Sequence, residues 1–304
     1  MKQRVLAIVG AVALVVIAVV AKGTIRGEDN SVVKPRKAKP TVACTPDLAD
    51  VCDALAAAGT IAPDPPTLEL DAAKAPADDI DGWITWDPAP RVANYRAGTS
   101  GPAVWDDATA IGSADLALLS PAGTPTGCGT ARTWACLVAD FPTTGLGSIG
   151  VGSPATAEGL ARILPLAKAL DPEDTNTVDT AGLAAFVDGR WSPQAGQADA
   201  PAQVDTLALQ GSAAVGSVVG PVDLLAATQA TPRGSGLRVW RPAKATPITI
   251  AIAPRHGRDL GDLAGQIASR ARTALADHGT AGDPAPLMDD DLAGFLYQVG
   301  QKVG

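Results

Sequence analysis

The chain of 304 residues carries 24 Lys and Arg against 32 Asp and Glu, and the charge is unevenly divided. Residues 1–40 hold eight basic and two acidic residues, a net +6, whereas the remainder holds 16 and 30, a net −14. A body this acidic lacks the basic footprint that phosphate backbones require, which argues against nucleic acid as a partner. Few aromatics and abundant Ala, Gly and Pro fit a high-GC, actinobacteria-like composition.

The first element is an unbroken apolar run, Val5 to Ala21, with Lys2 and Arg4 before it and Lys22 and Arg26 after it. At 1.5 Å per residue a helix of that length covers about 26 Å, just short of a hydrocarbon core of about 30 Å. Snorkelling basic flanks can close the gap. Residues 1–22 therefore read as a transmembrane anchor or a secretory signal, since Val19-Val20-Ala21 also fits a small-residue cleavage site. Either way the body is expected to be extracytoplasmic, with the membrane contacted through residues 5–21. Residues 23–40, with Pro35 and Pro40 and no apolar period, form a basic linker.

Order is expected from Thr41. Thr41–Cys44 reads as a strand. Thr45-Pro46-Asp47 then supplies a cap residue, a proline at the first helical position and an acid in the first turn. Leu48, Val51, Cys52 and Leu55 recur at helical spacing up to Gly59. Strands follow at Thr67–Leu70, Gly82–Trp86 and Asp115–Ser120. Thr133–Val138 reads as a short helix, Ser148–Val151 as a strand, and Ser153-Pro154 as the opening of a helix with Leu160, Ile163, Leu164 and Ala167. A helix over residues 182–189 and strands over Ala213–Val219, Leu237–Trp240 and Ile248–Ile252 come next. Leu260, Leu263, Ile267 and Leu275 mark an amphipathic helix, and Asp289–Asp291 cap a last one. Strands separated by helices imply an α/β chain with largely parallel sheets.

The four cysteines form two close pairs, Cys44 with Cys52 and Cys128 with Cys136. Neither has CxxC spacing, and only two histidines exist, His256 and His278, which argues against a zinc site. An even count in an exported chain reads as disulfides. Of three connectivities the local one, Cys44–Cys52 and Cys128–Cys136, is the simplest.

No nucleophile–base constellation is visible, so no enzymatic activity, metal or cofactor is expected. Gly145 to Gly150 spells GxGxxG but precedes a strand, where a dinucleotide fingerprint would follow one. Gly152-Ser153-Pro154 lacks the GxSxG pattern, and proline directly after the serine argues against a nucleophile elbow. What remains are helix N-termini and strand ends, where α/β proteins bind ligands. Thr45 and Asp47 lie at one such N-terminus and Ser153 and Thr156 at another. Backbone N–H groups there can hold an anion or a carbonyl. Trp86 and Asp87 end one strand, and Ser120 ends another. Taken alone, Thr45 and Ser153 are helix caps; a ligand site requires both to face one cleft.

The segment order resembles the type 2 periplasmic-binding-protein (extracellular solute-binding) superfamily. The likeness is carried by the strand and capped helix at Thr41–Ala58, by Ile84–Trp86 and its loop, and by Arg132–Leu137 with Gly147–Pro154. Val239–Pro242 with Thr246–Ile248 then resembles the return crossover. It departs where Leu70 runs into Asp71-Ala72-Ala73-Lys74 instead of the Ser-Ser pair of oxyanion-binding members, and where Ser153 replaces an acid. The resemblance implies a bilobed α/β fold, with lobe one from residues 41–120 and 244–304 and lobe two from 121–243. Crossovers near Ser120 and Pro242 would then form a hinge. It further implies a small-molecule solute between the lobes, held by Thr45, Asp47, Trp86, Asp87, Ser120, Ser153 and Thr156. The implied partner is an ABC permease; a docking role in a cell-envelope complex is the alternative.

Overall fold

The computed structural model describes residues 39–98, 102–121, 128, 131–140, 149–169, 199–213, 215–258, 260–277 and 283–303. The proposed anchor and all of the linker but its last two residues, the helix expected over 182–189, residues 145–148 and His278 lie outside them. Among the described residues no helix is long and apolar enough to cross a membrane.

The described strands are β1 (Val42–Cys44), β2 (Gly82–Trp86), β3 (Thr109–Pro121), β4 (Ile149–Gly150), β5 (Ser217–Pro221), β6 (Leu237–Trp240) and β7 (Pro247–Pro254). They form one sheet in the order β1-β2-β7-β3-β5-β4, with β6 also on β3. The long strand β3 organises it. Residues Thr109 to Asp115 pair with β7, and Leu116 to Pro121 pair with β5 and β6. The change of partner between Asp115 and Leu116 divides the sheet into two halves. The chain passes from one to the other along β3 and returns between Trp240 and Pro247.

This passage explains a departure from the parallel sheet expected from sequence. Only β1–β2 and β4–β5 are parallel. β3 pairs antiparallel with β5, β6 and β7, and β7 does so with β2. The outgoing and returning strands run in opposite directions because they are the two legs of a crossing between halves. The strand expected over Thr67–Leu70 shrinks to a single bridge, Thr67 beside Cys44. β1 is only three residues long, and Pro65 and Pro66 have no N–H to donate.

The helices are α1 (Ala49–Ala57), α2 (Ala89–Ala97), α3 (Trp134–Asp140), α4 (Ala157–Ala169), α5 (Ala200–Gln210), α6 (Val222–Gln229), α7 (Asp262–Asp277) and α8 (Asp290–Val303). Asp289 caps α8 as expected, its carboxylate accepting from Leu292 N at 2.8 Å. α2, α5 and α6 were not anticipated. Each begins next to a proline, and α5 carries a readable start, with Asp199 accepting from Ala202 N at 2.8 Å and Pro201 in the first turn.

Among the described residues the core has three parts. The largest is built on the first half around Trp83, Ile84, Trp105 and Ile111, and reaches into the second through Leu160 and Ala161. A smaller one fills the space between α5, α6 and the second half, with Leu119, Val204, Leu207 and Leu225. In the third, Ile163 and Leu164 of α4 pack on Phe295 and Leu296 of α8. The two halves thus share apolar packing as well as two connecting segments.

Arg162, on α4, is wholly buried. Its Nε donates to Val219 O of β5 at 2.7 Å, and a terminal nitrogen donates to Gln203 of α5 and to Gly150 O of β4 at 3.4 Å. The other terminal nitrogen lies 3.5 Å from Glu158, one turn back. One side chain therefore ties two helices to two strands. Arg162→Met is expected to lose about 3–5 kcal/mol, because it strands a buried carboxylate and two backbone carbonyls; urea denaturation measures it.

Both disulfides take the local pairing, Cys44–Cys52 and Cys128–Cys136. The first joins β1 to α1. Each spans eight residues, so in the loop-entropy picture each contributes toward the low end of about 2–4 kcal/mol. The Cys44→Ser/Cys52→Ser variant should lose about 2–3 kcal/mol in the same denaturation assay.

Candidate ligand cleft between the two halves

The N-terminus of the α1 region and that of α4 open onto one cavity of about 230 Å³. The first half supplies Thr45, Pro46, Asp47 and Glu69 to its wall, and the second supplies Thr156, Ala157, Glu158 and Asp199. A second cavity of about 740 Å³ is also lined from both halves, by Asp47, Asp50 and Trp86 on one side and Glu158, Asp223 and Leu224 on the other. Asp47 and Glu158 belong to both walls.

Local structure fixes each of these groups. Thr45 precedes a 3₁₀ turn, Pro46–Leu48, that leads into α1. It is buried, and its hydroxyl lies close enough to the Asp47 carboxylate to favour its ionised form. The indole Nε1 of Trp86, at the end of β2, donates to Asp47. On the opposite wall Thr156 caps α4, its hydroxyl accepting from Gly159 N at 3.1 Å and donating to Ser153 O at 2.9 Å. The turn before it lies directly on the helix: a Cβ added to Gly159 would stand 2.0 Å from Ser153 O, and Gly152 takes the left-handed φ of +83°. Glu158 points into the junction, accepting from Ala200 N at 3.1 Å.

Desolvation dominates the electrostatics, and the acids facing one another add to it. Burial pushes the Glu158 carboxyl up to about 7; Arg162 opposes this, while Asp47 and Asp199 add to it. Asp47 is exposed at the mouth of the cleft; the surrounding protein raises its pKa, the Trp86 hydrogen bond opposes that, and Asp199 adds repulsion.

No protein-family model matches the chain, and no curated protein sequence matches it. Solved structures do match. The ferric binding protein from Campylobacter jejuni is similar with a TM-score of 0.59 at 10% identity, over 87% of this chain and 98% of that one. The periplasmic binding protein AfuA from Actinobacillus pleuropneumoniae, with fructose-6-phosphate bound, gives 0.51 at 13% identity over 88% and 96%. The sulfate-binding protein SubI from Mycobacterium tuberculosis H37Rv gives 0.50 at 18% over 85% and 90%. The chain has the bilobed periplasmic-binding-protein-like fold. At these identities the likeness establishes the fold and carries no ligand with it.

Of the residues singled out in the sequence, this bilobed fold brings together Thr45, Asp47, Trp86 and Thr156. Three others stand elsewhere. Asp87 is fully buried and accepts from Met288 N at 2.6 Å and from Arg91 at 3.2 Å, pinning the segment before α8. Ser120 is buried within β3 and lines neither cavity. Ser153 is not the cap of α4; its hydroxyl accepts from Ala155 N at 3.2 Å within the preceding turn. The Ser-Pro pair imitated a helix start three residues early. Glu69, Glu158 and Asp199 went unrecognised. Asp199 was legible as a cap before Pro201, whereas nothing local marks Glu69 or Glu158. A depression of about 460 Å³ beside Arg91, Trp105 and Asp106 holds none of the expected residues.

Burial also raises Asp87, to about 6. For Glu158 and Asp87 the folded pKa lies above the unfolded one, so the native state holds more protons between about pH 4 and 7, and stability falls as pH rises through that window. Urea midpoints are expected to be lower at pH 8 than at pH 5. Glu158→Gln, which keeps an acceptor for Ala200 N, should flatten the decline; an unchanged or reversed trend would contradict the assignment.

Proposed function

We propose that the protein is a non-catalytic, extracytoplasmic solute-binding protein that holds a small molecule between its two lobes. The observation that carries this reading is the cavity walled by Thr45 and Asp47 from one half of the sheet and by Thr156 and Glu158 from the other. A ligand touching both walls favours the arrangement that brings them together. The lobes in this reading are residues 41–120 with 244–304, and 121–243. The hinge is the change of strand partners at Asp115–Leu116 together with the return segment between Trp240 and Pro247. The packing of α4 on α8 keeps the expected motion small. The apolar run Val5–Ala21 would tether the body to the membrane, and two disulfides suit an oxidising compartment. Solved proteins of this fold include binders of ferric iron, sulfate and a sugar phosphate, which supports the solute-binding reading and, with it, an ABC permease as partner.

A thermal-shift screen of the full chain against metabolites tests the proposal. A ligand at 100 times its dissociation constant should add about 2.7 kcal/mol. The same ligand should change Trp86 emission, read as the difference between the parent and Trp86→Phe. A screen without hits, with unaltered emission, would transfer the protein to the docking role in a cell-envelope complex.

A further inference from the structure

Outside the cleft, and sharing no residue with it, lies a cavity of about 380 Å³. Asp71, Lys74, Arg96, Tyr297 and Gln301 line it from the first half, and Ala155 from the second. Its distinctive group is Arg96, in the last turn of α2. Of the described arginines that are not exposed, Arg91, Arg162 and Arg255 each meet a carboxylate, whereas Arg96 meets none. Its one hydrogen bond runs from a terminal nitrogen to Pro154 O, at a long 3.4 Å. Its Nε is buried and has no partner. Burial pushes its pKa down, and Asp71, the acid that counters this most, is itself held by Lys74 at 2.9 Å. A guanidinium drawn partly out of water and left without an anion is costly to a fold.

We infer that this cavity is a binding site for a small oxyanion, a carboxylate or a phosphate, held by the fork of Arg96. A guanidinium presents paired N–H donors that match two oxygens of one such group. Lys74 supplies a second cation. Its bond to Asp71 joins two exposed side chains, so an arriving oxyanion can draw the ammonium away at little cost. Tyr297 and Gln301 add neutral donors. The Tyr297 ring is braced by stacking on Tyr95, with centroids 5.7 Å apart, and gives the ligand a fixed aromatic wall. The volume suits a small molecule. The site goes beyond the solute-binding reading and stands without it, because none of these groups belongs to the cleft. The bond from Arg96 to Pro154 O reaches the turn two residues before Thr156, so an occupant competes for a contact that joins the two halves.

Titration calorimetry of the full chain in detergent with inorganic phosphate, succinate and citrate tests the inference, against sodium chloride at matched ionic strength. At least one of the three oxyanions is expected to bind. Arg96→Gln and Lys74→Gln should each weaken that binding by roughly tenfold or more, the loss of a charge-assisted hydrogen bond, with unchanged circular dichroism. Asp71→Asn should strengthen it, because the change frees Lys74 and removes a repelling charge. Lys74 and Asp71 are exposed, so their variants decide the matter even where Arg96→Gln fails to fold. Oxyanion binding that ignores both Arg96→Gln and Lys74→Gln belongs to another site and overturns the inference. A response that chloride reproduces overturns it as well, as does the failure of all three oxyanions to bind.

Discussion

A guanidinium with no access to water holds the second lobe in register. Arg162 satisfies a carbonyl in the middle of β5, another on β4 and a side chain on a neighbouring helix, so its desolvation is offset by several hydrogen bonds and one carboxylate. Its partner Glu158 is thereby fixed at the head of α4, where it accepts from the first N–H of α5. Position and charge of the cleft wall follow from that chain of contacts. An aliphatic residue at 162 could fill the volume, yet it would leave the two strands and Gln203 unjoined.

The first lobe reaches the same cleft by different means. Its groups come from a strand end and a 3₁₀ turn, joined by the indole of Trp86 on Asp47. Glu158 is buried, whereas Asp47 is exposed at the cleft. Glu158 and Asp47 both resist ionisation, and each is raised further by acids across the gap. Carboxyls held away from their usual pKa by burial and by one another cluster at functional sites.

Much of this architecture is readable from the chain. The strands at 42–44, 82–86 and 247–254 follow from short β-branched and aromatic runs between turn residues, and α7 and α8 from apolar spacing. Thr45-Pro46-Asp47 announces its helix start, and Trp86 is placed correctly at a strand end. The failures have physical causes. Ser153-Pro154 has the chemistry of a cap, but the turn it forms packs onto Gly159 and hands the cap to Thr156. Asp87 lies one residue beyond Trp86 and points away from the cleft, into contacts with Met288 and Arg91 that only the fold creates. Glu158 could not be assigned, because its meaning depends on Arg162 one turn later and on Asp47 more than a hundred positions earlier. The sense of the sheet was misjudged because β3 and β7 serve as crossing legs, a role invisible in their composition.

The bond between Cys44 and Cys52 encloses Thr45, Pro46 and Asp47 in its loop. One wall of the cleft is therefore stitched at both of its ends, and its shape is conditional on oxidation. In a reducing milieu the same polypeptide would keep its strands and lose the brace behind its acidic wall. The covalent chemistry of that wall thus couples its shape to the redox state of the compartment in which the chain folds.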